Sequence, residues 1–433
     1  MKNTMLGIQH LLAMYAGAVV VPLVIGGALG FQGEDLTYLV SIDILMCGVA
    51  TFLQIFSNRF TGIGLPVVLG CTFTAVGPII AIGGEFGVAA VYGSVIASGL
   101  IIILISGFFG KLVRFFPPVV TGSVVTVIGI TLIPVAVTNM GGGDGASDFG
   151  SLSNIGLAFG TLLLIVLIYR FSTGFIRSIS ILLGLIAGTI VAMIMGKVDF
   201  SAVADASVFR MVEPFHFGLP TFEWPAILTM TLVAIVSLVE STGVYFALSD
   251  ICEKDLQEKD LAKGYRAEGL ASVIGGIFNA FPYTTFSQNV GLMQMSGVRS
   301  RRVIVLTGLM LVALGFLPKV AALATIIPDP VLGGAMIAMF GMIVSQGIKM
   351  LGDTISQSQG NPMIIACSVG MGLGVTVAPD LFAHLPASVQ ILTSNGIVAG
   401  SFTAIILNIV FNMLPSRSQN KKAETPVLYE QEA

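Results

Sequence analysis

The sequence predicts an all-α polytopic membrane protein: fourteen transmembrane segments in two inverted seven-span repeats, with short antiparallel strands where spans 3 and 10 are broken. Three observations predict it: a composition too apolar for water, an alternation of basic and non-basic loops, and a repeat across the chain midpoint. Of 433 residues, 55% are hydrophobic and only 10% charged, against the roughly 25% charged typical of soluble domains. The small net charge of −3 argues against a nucleic-acid partner and leaves membrane lipid as the surrounding phase.

A hydrocarbon crossing takes about 20 residues. Hydropathy places spans near 6–28, 37–56, 64–81, 88–108, 119–137, 155–170, 178–196, 226–248, 267–281, 284–297, 303–317, 331–347, 363–379 and 396–414. The first outruns a signal-peptide core, and no clear cleavage site follows, so a retained helix is expected. Basic residues test the count, because Lys and Arg gather in cytoplasmic loops. With a cytoplasmic N-terminus, Lys2, Arg59, Lys111, Arg114, Arg170, Arg177, Lys254, Lys259, Lys263, Arg266, Arg299, Arg301, Arg302, Lys349, Arg417, Lys421 and Lys422 fall inside. Only Lys197, Arg210 and Lys319 fall outside. Both termini are therefore expected in the cytoplasm of a multi-pass protein of the cell membrane. The two longest loops, 138–154 and 197–225, are external and read as solvent-exposed connectors.

The repeat emerges from comparing 117–129, PPVVTGSVVTVIG, with 328–341, PDPVLGGAMIAMFG. Pro118, Val119, Gly122 and Gly129 return as Pro330, Val331, Gly334 and Gly341, each 212 positions later. Thr72 and Phe73 of CTFTAVG return 213 positions later as Thr285 and Phe286 of TTFSQNVG. These pairs fall in the third and tenth spans and in the fifth and twelfth, so the repeating unit is seven spans. Seven is odd, which inverts one half relative to the other. Inverted repeats are a mark of secondary transporters, whose substrate lies near the midplane where Gly- or Pro-interrupted segments meet. The run of Thr, Phe and Thr or Ser at 72–74 and 285–287 favours extended backbone, tolerable at that depth when two strands pair with each other.

Polar residues inside these spans are the candidate chemistry. Glu240, in LVAIVSLVESTGVYFAL, has no basic neighbour in sequence, and an intramembrane carboxyl costs roughly 2.5–3.5 kcal/mol on insertion scales. Function outweighs a purely structural protonated Glu. His10, in GIQHLLAMYAG, is balanced between function and an interhelical hydrogen bond. Glu268, in YRAEGLASV, reads as an orienting or proton-relay group or as an ion pair with Arg266. Asp43 in the second span stays unassigned. Gln288 and Asn289 offer uncharged amides, either for ligand or for broken backbone. A planar heterocycle with alternating N–H and C=O groups is matched by a carboxylate on one side and a carboxamide on the other, with Phe73 able to stack on its face. Cys47, Cys71, Cys252 and Cys367 are scattered singly, and His10, His216 and His384 lie at no metal-ligand spacing, so neither disulfide nor metal is expected.

With these residues in place, the chain resembles the nucleobase-ascorbate transporter family, the nucleobase:cation symporters of the second type, over nearly its whole length. The most specific part is QNVGLMQMS, Gln288 to Ser296, where Ser296 stands in place of the family's usual Thr. Gln9–His10, ESTG from Glu240 and the ninth-span acid, usually Asp but Glu268 here, support it. The resemblance implies a core domain (1–108, spans 1–4, and 226–317, spans 8–11), a gate domain (109–225, spans 5–7 with the external loop, and 318–415, spans 12–14) and a homodimer. It implies that Glu240 and Gln288 bind the base, Phe73 stacks on it, main chain near Phe73 and Ser287 completes the site, and Thr72 tunes selectivity. Asn289 would orient the binding loop and His10 would support it through packing.

Within the family, Gln at the first signature position goes with oxidised purines and Glu with uracil, so Gln288 points to the xanthine and uric acid permease branch. The expected activity is import of xanthine by proton symport, with Glu240 alternating between protonated and ionised forms and no cofactor beyond the proton. Uric acid symport is the near alternative, uracil transport a further one. A channel is disfavoured because one acid without a ring of like residues does not suit selective conduction. An enzyme is disfavoured because no nucleophile or metal constellation accompanies Glu240. The polar tail 416–433 is expected to be disordered in the cytoplasm.

Overall fold

A computed structural model describes residues 2–108, 115–352, 354–385, 390 and 395–414. The tail 416–433 and the basic residues Lys111, Arg114, Arg417, Lys421 and Lys422 lie outside the described residues. Fifteen helices are labelled here: α1 (Lys2–Ala28), α2 (Gly33–Ile55), α3 (Val76–Phe86), α4 (Val88–Ile105), α5 (Pro118–Gly141), α6 (Leu152–Phe171), α7 (Ser180–Ile194), α8 (Trp224–Cys252), α9 (Glu258–Ile277), α10 (Ser287–Ser296), α11 (Arg301–Gly315), α12 (Pro318–Thr325), α13 (Asp329–Gly352), α14 (Asn361–Val377) and α15 (Gly396–Asn408). Two strands, β1 (Leu69–Cys71) and β2 (Tyr283–Thr285), precede α3 and α10.

Among the described residues, eight helices are long and apolar enough to cross a bilayer: α1, α2, α4, α5, α6, α8, α13 and α15 with the π-turn that extends it to Met413. The α11–α12 pair, bent by 82°, would make a ninth. Each span read from hydropathy overlaps a helix or half-helix, with displaced boundaries at the third, ninth and twelfth. In the third, 64–75 is loop, strand and 3₁₀ turn and the helix runs on to Phe86, while the twelfth extends to Gly352. The ninth begins at Glu258 rather than near 267, because Glu258, Lys259, Asp260, Lys263 and Arg266 continue the helix beyond its apolar part, and Gln257 with Asp260 closes a capping box.

Helix packing falls into two sets. In one, α5 lies along α13, and α6, α7, α14 and α15 gather around that pair; in the other, α2 pairs with α11 and α4 with α9, with α1 and α8 beside them. Both α5 and α13 carry a Pro in their first turn, Pro118 and Pro330, where the missing N–H costs nothing. Between α4 and α9 the backbones touch: a Cβ on Gly99 would lie 2.7 Å from the Gly269 carbonyl oxygen, and one on Gly269 equally close to that of Gly99. Small residues at such crossings let helices approach where no aqueous hydrophobic drive assists them.

The strands pair antiparallel, Leu69 with Thr285, Gly70 with Thr284 and Cys71 with Tyr283. Extended backbone therefore lies two to three residues upstream of the 72–74 and 285–287 segments in which it was expected, overlapping them at Thr72, Thr285 and Phe286. Phe73–Ala75 forms a 3₁₀ turn and Ser287 already begins α10. The reason is local: Thr72 Oγ1 accepts the Thr74 N–H at 3.3 Å and closes the turn. The ladder takes its remaining bonds from Thr72 N–H to the Pro282 carbonyl and Phe286 N–H to that of Val68, both 3.0 Å.

The 197–225 loop is more than a solvated connector. Tyr38 Oη donates to the Glu213 carbonyl at 2.9 Å, Arg210 pairs with Glu34 at 2.7 Å, and Phe215 and Thr221 donate backbone N–H groups to Ile277 and Ala89. Its aromatic residues explain this: Phe217 packs against Phe31, Tyr38 and Tyr92.

Candidate functional site

Each strand turns directly into a short helix, so the N-termini of α3 and α10 flank the ladder, and α8 packs against both. First-turn N–H groups have no partner within their own helix and carry the positive end of its dipole. Such half-helix ends near a membrane midplane suit acceptor atoms of a polar ligand.

Residues of α8 fasten this region together. Ser241 Oγ accepts the Thr285 N–H at 3.3 Å and its hydroxyl at 3.2 Å, and pairs with Thr284 Oγ1 at 3.1 Å. One turn earlier, Ser237 Oγ pairs with Thr72 Oγ1 at 3.3 Å. The helix is thus pinned to β2 on one side and to the 3₁₀ turn on the other. Glu240 lies between these two pins. It is partly exposed and has no hydrogen-bond or ion-pair partner among the described residues.

Ser287 and Gln288, at the start of α10, are exposed although their neighbours Phe286 and Asn289 are buried. Three residues beyond Glu240 and Gln288 stand Gly243 and Gly291, and a Cβ on either would meet nothing within 4 Å. On a helix, positions three apart share a face, so both helices open on the faces that carry the carboxyl and the amide. Phe73 is partly exposed, and its ring meets Phe340 of α13 edge-on at a centroid distance of 6.0 Å. Glu240, Phe73, Ser287 and Gln288 are thus each at least partly exposed around the ladder, and Phe73 meets α13 through Phe340.

The remaining predicted residues stand behind this surface. Thr72 is fully buried and acts through Ser237 and the 3₁₀ turn. Asn289 Nδ2 donates to His10 Nδ1 and to the His10 carbonyl oxygen, both 3.1 Å. Glu268 is 2% exposed and takes no part in an ion pair with Arg266. Arg266 instead donates to Ser106 Oγ at 2.9 Å and lies over the Phe60 ring. Glu268 Oε1 accepts the Tyr245 hydroxyl, and its other oxygen has no partner among the described residues.

Several contributors were not singled out from sequence. Ser237, Ser241 and Tyr245 share the stretch around Glu240, and their spacing along one helix was the available signal. Asp43, unassigned from sequence, is fully buried, with Oδ1 3.5 Å from both the Phe281 N–H and the Tyr283 hydroxyl. No group of three His, Cys, Asp or Glu that could hold a metal occurs among the described residues. Two apolar cavities, of about 330 Å³ beside α6 and α7 and about 290 Å³ between α8 and α15, are lined by no ionisable side chain.

Comparison with known proteins bears on the fold and on the family. The structure resembles the transmembrane domain of a cyanobacterial bicarbonate transporter, BicA, with a TM-score of 0.64 at 17% identity, covering 89% of this chain and 98% of that one. It also resembles murine Slc26a9, an anion transporter in the inward-facing state, with a TM-score of 0.61 at 11% identity over 94% of this chain and 68% of that one. These likenesses concern the fold. In sequence, the chain is 65% identical to a xanthine permease of Bacillus subtilis (98% of this chain, 96% of the relative). It is 66% identical to the nucleobase transporter PlUacP of Paenibacillus larvae (95% of each) and 62% identical to the uric acid permease PucK of Bacillus subtilis (96% and 97%). The profile described as "Permease family" matches residues 1–381. This multi-pass membrane protein therefore belongs to that permease family, the nucleobase-ascorbate transporters that its QNVG signature resembles.

Proposed function

We infer that the protein is a purine nucleobase permease that imports xanthine by proton symport. The observation that carries the reading is the unpartnered carboxyl of Glu240 set with the exposed amide of Gln288 between two half-helix N-termini. A carboxylate and a carboxamide together complement the alternating donors and acceptors of an oxidised purine. Phe73 offers a ring for its face. The names of the similar proteins, xanthine and uric acid permeases, support the substrate class.

In this proposal fourteen spans form two inverted halves. Residues 1–108 and 226–317 are the core, 109–225 and 318–415 the gate, and both termini are cytoplasmic. The two packing sets described above support that division. Substrate sits between them, and movement of one against the other alternates access, in a homodimer. Glu240 exchanges a proton as the base binds and leaves, which ties uptake to the inward proton gradient.

Uptake of labelled xanthine into vesicles, with and without an uncoupler and with excess urate or uracil, tests this. Saturable, uncoupler-sensitive uptake with counterflow, blocked by urate but not uracil, is the expected result. Preference for urate would move the assignment to a uric acid symporter. Best competition by uracil would overturn the role of Gln288, and non-saturable flux would indicate a channel.

A further inference from the structure

The stretch 208–224, which leads into α8, turns large apolar side chains outward and its two cations inward. Val208, Phe209, Met211, Leu219, Phe222 and Trp224 are each 57–75% exposed. Arg210 instead pairs with Glu34 at 2.7 Å and lies over the Tyr38 ring. The His216 ring packs on that same tyrosine at a centroid distance of 4.0 Å, with Nε2 3.8 Å from Asp35 Oδ1. Of the ionisable groups in the stretch, Glu213 and Glu223 are the ones left exposed. Main-chain bonds hold the arrangement in place: Arg210 N–H donates to the Phe316 carbonyl at 3.3 Å and Thr221 N–H to that of Ala89 at 3.1 Å. A loop bathed in water shows the reverse polarity, with charges outside and large apolar groups tucked in.

Both ends of the stretch are continuous with surfaces of the membrane spans. Trp224 opens α8, a helix apolar enough to cross the bilayer, and Leu228, one turn on and 49% exposed, shares its face. Near the other end, Phe209 stacks on Phe316 at 5.7 Å, at the bend between α11 and α12, where Leu309 and Leu323 are each 53% exposed. We propose that residues 208–224 form a membrane-docking surface whose partner is the zwitterionic phospholipid of the leaflet that α8 enters, the outer one in the orientation proposed above. The apolar side chains reach the boundary between headgroups and acyl chains, where aromatic residues of membrane proteins concentrate. No cation of the stretch points outward to recruit anionic headgroups, and Glu213 and Glu223 repel them, so attachment rests on apolar burial rather than on charge. Because the stretch is fastened to α2, to α4 and to the bend after α11, it anchors the helix set that pairs α2 with α11 and α4 with α9.

Trp224 is the one tryptophan of the chain, so intrinsic fluorescence tests this directly. The full-length protein is placed in phosphatidylcholine nanodiscs as the wild type, which reports on Trp224, and as Trp224→Phe combined with Phe209→Trp, which reports on the far end of the stretch. Met211→Trp in the same background serves as a second reporter there should the first variant fail to fold. Emission is recorded with acyl chains brominated near the headgroup or near their ends, and with iodide in the water. Each tryptophan should lose more emission to shallow bromine than to deep bromine and should be largely protected from iodide. Replacing part of the lipid by phosphatidylglycerol, or raising the salt, should change neither result. Far-end reporters quenched by iodide and untouched by bromine would place the stretch in water and overturn the proposal. Indifference to both quenchers would place it against protein, such as a second copy of the chain, and overturn it equally. A requirement for phosphatidylglycerol would overturn the lipid chemistry assigned.

Discussion

Asn289 donates to two acceptors on a single residue of another helix, the imidazole Nδ1 and the backbone carbonyl of His10. The carbonyl has no hydrogen to give, so the NH2 end of the amide must face His10, and Nδ1 must be the unprotonated ring nitrogen. This pair holds the first turn of α10, and with it Gln288, against α1.

Replacing Asn289 by Asp should therefore be more damaging than its size suggests. Two acceptors would confront a carboxylate in a site from which water is excluded. Leaving such groups unpaired costs about 1–3 kcal/mol, so purine uptake should fall at least roughly fivefold, with lower thermal stability. Unchanged uptake and melting would show that the pair does not hold the loop.

Glu240→Gln should leave a folded protein that exchanges purine across the membrane but does not accumulate it. The substitution keeps shape and hydrogen-bonding capacity and removes the titration. Counterflow and uncoupler-sensitive accumulation, measured on one preparation, check the two halves of this statement. Full accumulation would remove Glu240 from the coupling.

At Phe73, the ring is the part that matters. Phe73→Ala forfeits an aromatic face worth about 0.5–1.5 kcal/mol, and KM for purine should rise roughly two- to tenfold. Phe73→Tyr should stay near the wild type. Equal KM values for all three would place the substrate elsewhere.

The counterpart ring, Phe286, has a different task. It is buried between Gly17 of α1 and Gly70 of β1, where an added Cβ would come within 2.7 and 2.2 Å of its atoms. Gly70→Ala should cost about 1–3 kcal/mol by overpacking and depress uptake. The added substitution Phe286→Leu, by removing the obstructing atoms, should restore part of the loss. Absence of any rescue would show that the clash with the ring is not the cause.

Outside the spans, Lys197 pairs with Asp148 at 2.9 Å and fastens the 138–154 loop to the end of α7. Hydrogen bonds from Lys197 and Asn154 hold the Asp148 carboxyl below the usual carboxylate range. A lowered folded-state value means that the contribution is present above the unfolded value, near 3.9, and is lost as pH falls through the folded one. Lys197→Met should weaken this acid-side dependence of loop protection in hydrogen exchange, Asn154 still being in place, and leave neutral-pH folding nearly unchanged, because the pair is exposed.

Much of this protein was legible in the order of its residues. Runs of apolar residues located the helices because lipid leaves each backbone polar group to be satisfied within its own segment. Glu240 and Gln288 stood out because a polar group at membrane depth needs a reason to be there. The family signature pointed to the same residues independently. The strands were less legible: residue preference placed them at Thr72 and Thr285–Ser287, whereas the pairing settled two or three residues earlier, where Thr72 starts a turn.

What the sequence alone determined was thus the kind of environment, the segmentation and the chemically costly residues, all of them consequences of each segment meeting lipid. Only the tertiary structure decided which polar group meets which. It turned Arg266 to Ser106, gave Glu268 to Tyr245, buried Thr72 behind Ser237 and left Glu240 partly exposed without a hydrogen-bond partner among the described residues. Those pairings join positions up to 165 residues apart. Hydrogen bonds are directional and short, so their partners follow from how the helices pack, whereas the drive that places a segment in the membrane is set by its own composition.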